Sequence, residues 1–261
     1  MIRAPENAPP KKRRRERRSD CGKTSSLSAG KDDVMHIQPG VVEGARMVLG
    51  YVTAAGSLAL TVGMARNTIL QDGGVRALVL RSIVTSALVL VFFQVFPHYV
   101  VGISEVHFIF GATLYLLFGA GPAAIGLAVG LLSQGLLFEP GDLPQYALNV
   151  TTLIAPLYLV AALAKRLVAP HTPYVELRFW QALLLSVAYQ GGVILMVAFW
   201  AFYGQGFGAE NIHRIALFAG NYLVVIIVEP ILSMALLWAA KRLEPSSTRS
   251  ILYNRLHHPV Q

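Results

Sequence analysis

Charge is what this chain has least of once its first 34 residues are set aside. Over all 261 residues only 14% are charged, against about 25% in an ordinary soluble domain, and the mean hydropathy is +0.54. That scarcity argues against a water-soluble globule. Cysteine is nearly missing as well. The single one, Cys21, lies in a polar leader, so no disulfide framework and no thiolate metal cluster is available. There is no P-loop pattern, no His-Glu-x-x-His helix pair and no evident serine-nucleophile arrangement. The chain is therefore not expected to be an enzyme. The period-two alternation of barrel strands is absent too. Lipid tolerates only helices or closed barrels, because every backbone polar group must be satisfied internally, so helices remain.

What is present is a series of apolar runs near the ~20 residues that cross about 30 Å of hydrocarbon as helix. The reading is an all-α, polytopic helical membrane protein with about seven transmembrane helices and disordered polar tails. The expected spans are 44–64, 77–96, a short third over 106–118, then 123–138, 144–163, 179–203 and 212–240. Pro156 is expected to kink the fifth, and Glu229-Pro230 to interrupt the seventh. The third and fourth would alternatively form one re-entrant hairpin. Three regions follow: a leader 1–34, a transmembrane domain 35–244 and a tail 245–261.

The leader carries the run Lys11-Lys12-Arg13-Arg14-Arg15-Glu16-Arg17-Arg18. It has no apolar period and is expected to be disordered. It lacks the apolar core of a secretory signal. An anionic-lipid contact is one reading; a nucleic-acid patch is disfavoured beside so many spans; absence from the mature protein is the third. Basic loop residues set the orientation. Arg66, Arg76, Lys165, Arg166, Arg178, Lys241 and Arg242 mark one side as cytoplasmic, together with the C-terminus. Met35 then falls outside, where a basic leader is disfavoured, so the working N-terminus is expected at Met35.

The same topology gathers Met35-His36, His98, Ser104-Glu105-Val106-His107, Glu139-Pro140-Gly141-Asp142 and Asn149 on the outer face. A histidine in second place on a chain is a chelator. The terminal amine, the second residue's amide nitrogen and its imidazole Nδ1 close small fused rings around one metal ion. The amine has a reference pKa of about 7.7–8.0, so it loses its proton readily near neutrality. A planar nitrogen set favours Ni(II) or Cu(II), with Co(II) also accommodated. One further imidazole completes it. His107 is the first choice and His98 the second. Glu105 would orient an imidazole or favour a helix N-terminus. Asn149 would support the site from behind. Glu229, ionisable inside a span, is either an intramembrane relay or the cap of a kink near the inner end.

Met35-His36-Ile37-x-x-Gly40, Val106-His107 opening a short glycine-containing helix, Gln134-Gly135-Leu136-Leu137-Phe138 and then Asn149 together resemble the cobalt/nickel substrate-binding component of energy-coupling-factor transporters, the CbiM/NikM family. The resemblance covers most of 35–240. It implies that the metal is held by the Met35 amine, by the amide and imidazole of His36, and by His107 at the start of the third helix. It implies a transported Co²⁺ or Ni²⁺ with no catalytic cofactor. The implied partners are a transmembrane coupling subunit and cytoplasmic ATPases in a bacterial inner membrane, and no nucleic acid. Any ATP hydrolysis would be theirs. Two rivals belong to other classes: a small organic-solute carrier of like architecture, and an intramembrane metal-dependent hydrolase using His107 and Glu105. If the leader stays attached, Met35 has no free amine and the site as described cannot form.

Overall fold

The computed structural model describes Ile37, residues 40–242 and residues 251–258. Met35, His36 and the leader lie outside the described residues, as does the rest of the C-terminal tail. The described chain forms seven α-helices and one two-stranded hairpin: α1 Met47–Gln71, α2 Gly74–Gln94, β1 Tyr99–Val101, β2 Ser104–Val106, α3 Gly111–Phe118, α4 Ala120–Leu137, α5 Tyr146–Leu167, α6 Phe179–Gln205 and α7 Ala209–Lys241. Six of the helices are long and apolar enough to cross a membrane. This is the all-α, multi-pass architecture expected.

Each long helix is apolar all round, so its inward face is distinguished by residue size. The buried positions of α1 are Gly50, Ala54, Ser57, Thr61, Met64 and Thr68. They recur every three or four residues, as one face of a helix requires. Large side chains such as Val48, Tyr51, Val52, Leu58 and Val62 point outward. Small residues inside let backbones approach where lipid offers no hydrophobic gain for association. The packing of α2 on α4 depends on this most. A Cβ on Gly126 would lie 2.3 Å from Thr85 Oγ1, and one on Gly130 would lie 2.6 Å from Val89 Cγ1. Thr85 Oγ1 also donates to the Pro122 carbonyl at 2.7 Å.

The third span is the exception. With eight residues, α3 is only about 12 Å long and cannot cross alone. Residues 107–110 are non-helical and complete the crossing. The start of α3 is held among α6 and α7. Its end meets Tyr253, whose N–H donates to the Leu117 carbonyl at 2.8 Å. Non-helical backbone is tolerated at membrane depth only inside protein, and 103–116 is buried except for Phe108. Gly119, at φ +88°, then turns the chain into α4, a conformation that favours glycine.

Two expectations are corrected. The third helix begins at Gly111, not at Val106, because 104–106 pairs with 99–101 instead: Tyr99 with Val106, Val100 with Glu105, Val101 with Ser104. Gly102, at φ +67°, makes the turn, and a Cβ there would lie 2.0 Å from the Arg214 carbonyl oxygen. And α7 runs unbroken through Glu229-Pro230. Proline lacks the N–H that would bond the Ile226 carbonyl, and Ser186 Oγ approaches that oxygen at 3.5 Å from α6.

Counting 107–118 as one crossing, seven traversals leave Ile37 and residues 251–258 at opposite ends of the bundle. On the first end, Arg46 donates to the Gly204 carbonyl and Arg214 Nε to the Gly102 carbonyl at 3.2 Å. On the far end, Asn254 N–H donates to Asp72 at 3.1 Å, and Arg255 donates to the Val168 and Ala169 carbonyls at 3.1 and 3.3 Å.

Candidate metal centre

The centre is assembled by four pieces of chain. His107 follows β2 directly and is 2% exposed. Its Nε2 lies 3.2 Å from Glu105 Oε2. These two are spaced i, i+2, which puts them on the same side of an extended chain. The Phe93 ring meets the imidazole edge-on at 5.2 Å between centroids. His98 stacks on it at 5.5 Å, with its own Nδ1 at 3.1 Å from the Phe96 carbonyl oxygen.

Asn149 stands in the first turn of α5. Its Oδ1 accepts from the Ile37 N–H at 3.4 Å, and Ile37 itself is 2% exposed. The residue immediately after His36 is therefore anchored in the wall of the cavity that His107 lines. That cavity is lined by Ile37, Ser104, Glu105, His107 and Asn149, together with Val193, Phe218 and Tyr222. Its free space is about 30 Å³, room for one or two water-sized occupants. A metal ion fits this space. Among the described residues no three His, Cys, Asp or Glu side chains converge as a metal-binding group. A metal held here would need donors beyond His107 and Glu105.

The Gln134-Gly135 stretch closes a smaller neighbouring space, with Asp142, Leu143, Tyr146 and Asn149. Gly135 lets the Leu143 side chain come close, since a Cβ would lie 2.9 Å from Leu143 Cδ2. The motif therefore packs the 140–145 turn that delivers Asn149. Glu229 does not line the cavity; it lies deeper, fully buried.

Sequence reasoning missed Thr152 and Tyr222, which also line the cavity with Ser104. Both carried a signal. Thr152 is three residues after Asn149 and Tyr222 is seven before Glu229, so each shares a helix face with a residue already singled out. Gln190 and Ser186 of α6 were missed as partners of Glu229. Their spacing of four was visible, but the partner helix was not.

Comparison with known proteins gives one result. The family model described as the cobalt uptake substrate-specific transmembrane region, CbiM, matches residues 36–247. No curated protein matches, and no solved structure matches. The match runs from His36 through all seven helices and so spans well over half of the 261 residues. The chain belongs to the CbiM family of cobalt uptake transmembrane components, multi-pass membrane proteins that carry cobalt in concert with other transporter subunits.

Proposed function

We propose that this chain is the substrate-capture subunit of an energy-coupling-factor transporter and that it takes up Co²⁺ or Ni²⁺ at its His107 end. The ligands are the Met35 amine, the His36 amide nitrogen and imidazole, and His107. One observation carries the reading: Ile37, directly after His36, is hydrogen-bonded to Asn149 in the wall of the small cavity that buried His107 lines. His36 is the next residue along the chain from that anchor. Glu105 sits against His107 and orients its ring. Asn149 fixes the entering chain. His98, stacked outside His107, is a first contact for an incoming ion.

The His107 end faces outward. Arg66, Arg76, Lys165, Arg166, Arg178, Lys241 and Arg242 mark the opposite end as the cytoplasmic side of a bacterial inner membrane. The basic residues of the His107 end, Arg46 and Arg214, are each tied to a backbone carbonyl. A membrane coupling subunit and paired ATPases supply the energy for transport. Met35 is the working N-terminus, because a peptide bond to Val34 would consume the amine. A cobalt uptake family favours a metal cargo over an organic solute and a transporter over a hydrolase.

His107→Ala tests the assignment. Nickel and cobalt affinity, read by calorimetry on the purified protein, should fall by more than about 100-fold, beyond the 10–100-fold typical of losing an outer partner. Wild-type affinity in this variant would remove His107 from the site.

A further inference from the structure

Glu229 is used by nothing described so far. It sits within α7 with no solvent exposure, where an ionisable side chain costs several kcal/mol unless it is provided for. It is provided for in full. Oε1 accepts from the Ala112 and Thr113 N–H groups at 2.8 and 3.2 Å. Oε2 accepts from Ser186 Oγ and Gln190 Nε2 at 2.8 and 2.7 Å.

The two amides belong to the first turn of α3, where backbone donors have no partner within the helix and negative charge is favoured. Gln190 Nε2 also donates to the Ile109 carbonyl at 2.8 Å. One turn along α7, Ser233 Oγ shares a hydrogen bond of 2.7 Å with Thr113 Oγ1. Gly111 lies under the Tyr189 ring, so close that a Cβ would meet it at 2.0 Å. Residues 109–113 are thus gripped from α6 and α7 at four successive points. This is the piece of chain that leaves His107, two residues upstream.

A relay would need an oxygen open to a passing ion or water. Both oxygens of Glu229 are occupied by protein donors, and the residue is absent from the cavity lining. We infer that Glu229 is a positioning residue for metal capture: it clamps the start of α3 and so holds the segment bearing His107 against the cavity wall. The inference rests on His107 being a ligand.

The test uses the purified chain beginning at Met35, with nickel as the probe. Affinity is read by calorimetry, and hydrogen exchange is read on a peptide spanning 107–114. Glu229→Ala should speed exchange in that peptide and weaken nickel binding by about tenfold or more, with unchanged stoichiometry. Glu229→Gln keeps a carbonyl oxygen for the two amides and should fall between. A purely structural role would lower the melting temperature and leave the affinity of the folded protein unchanged. A relay would leave Glu229→Gln with wild-type affinity and stop translocation. Either result overturns the inference. If Glu229→Ala does not fold, Gln190→Ala takes its place, with an expected loss of roughly threefold to tenfold; unchanged affinity there overturns the inference equally. His107→Ala is run alongside. If it binds nickel normally, the ligand assignment has failed and the inference falls with it. If it fails to bind while Glu229→Ala binds normally, only the clamp is wrong.

Discussion

The two ends of the bundle use buried polar groups in opposite ways. At the far end they close on one another. Arg81, fully buried in α2, pairs with Asp72 at 2.5 Å; Asp72 also takes the Asn254 N–H; Tyr115 and Tyr174 share a hydrogen bond of 2.8 Å; and Arg255 lies over the Tyr174 ring. Burial pushes the Asp72 carboxyl up, while the Arg81 guanidinium and the Asn254 N–H pull it down. At the His107 end the polar groups instead surround free space. The difference separates a region built for cohesion from one built to receive something. It also gives a rule: changes at the far end should move stability and leave metal affinity alone, and changes at the cavity should do the reverse.

The largest departure is expected from Asp72→Ala. It strands the Arg81 guanidinium without this partner, and breaking a buried pair costs about 3–5 kcal/mol. Thermal melting in detergent should show the loss, and nickel affinity of the folded protein should be unchanged. A parallel drop in affinity would break the separation of the two ends. Next is Asn149→Ala, which frees the Ile37 N–H. Nickel affinity should fall by about 10–100-fold, as for the loss of an outer partner, with a small change in melting temperature. The mildest effect concerns pH. Proton competition between pH 8 and 6 comes from the His36 imidazole, near 6.5 in its reference state, and above all from the Met35 amine, near 7.7–8.0. Protonating it removes a ligand, so nickel affinity should weaken by at least about tenfold per unit as pH falls from 7 to 6. A flat profile would mean that no group titrating in this range binds the metal.

Much of the bundle could be read from the sequence, because long apolar runs have few alternatives in lipid. The convergence of His107, Glu105 and Asn149 was legible for the same reason: residues that open alternate spans, the third and the fifth, must lie on the same side of the membrane. The hairpin at 99–106 was not legible. Two strands of three residues are too short to show a period, and the turn signal was one glycine. The true start of α3 was hidden with it. The setting of Glu229 depended on helices that meet only in three dimensions. The seat of 251–258 depended on Asp72 and on the Leu117 carbonyl, both more than 100 residues away in sequence. That segment lies beyond the matched family region, which ends at residue 247.

The central claim is that a free Met35 amine and His36 complete the site that His107 begins. The direct measurement is nickel titration of a chain starting at Met35 against the same chain with one alanine added before it. The account predicts one tightly bound ion in the first, with the absorption of a planar nitrogen-ligated centre, and loss of both affinity and spectrum in the second. Equal affinity and an unchanged spectrum in the extended chain would contradict it.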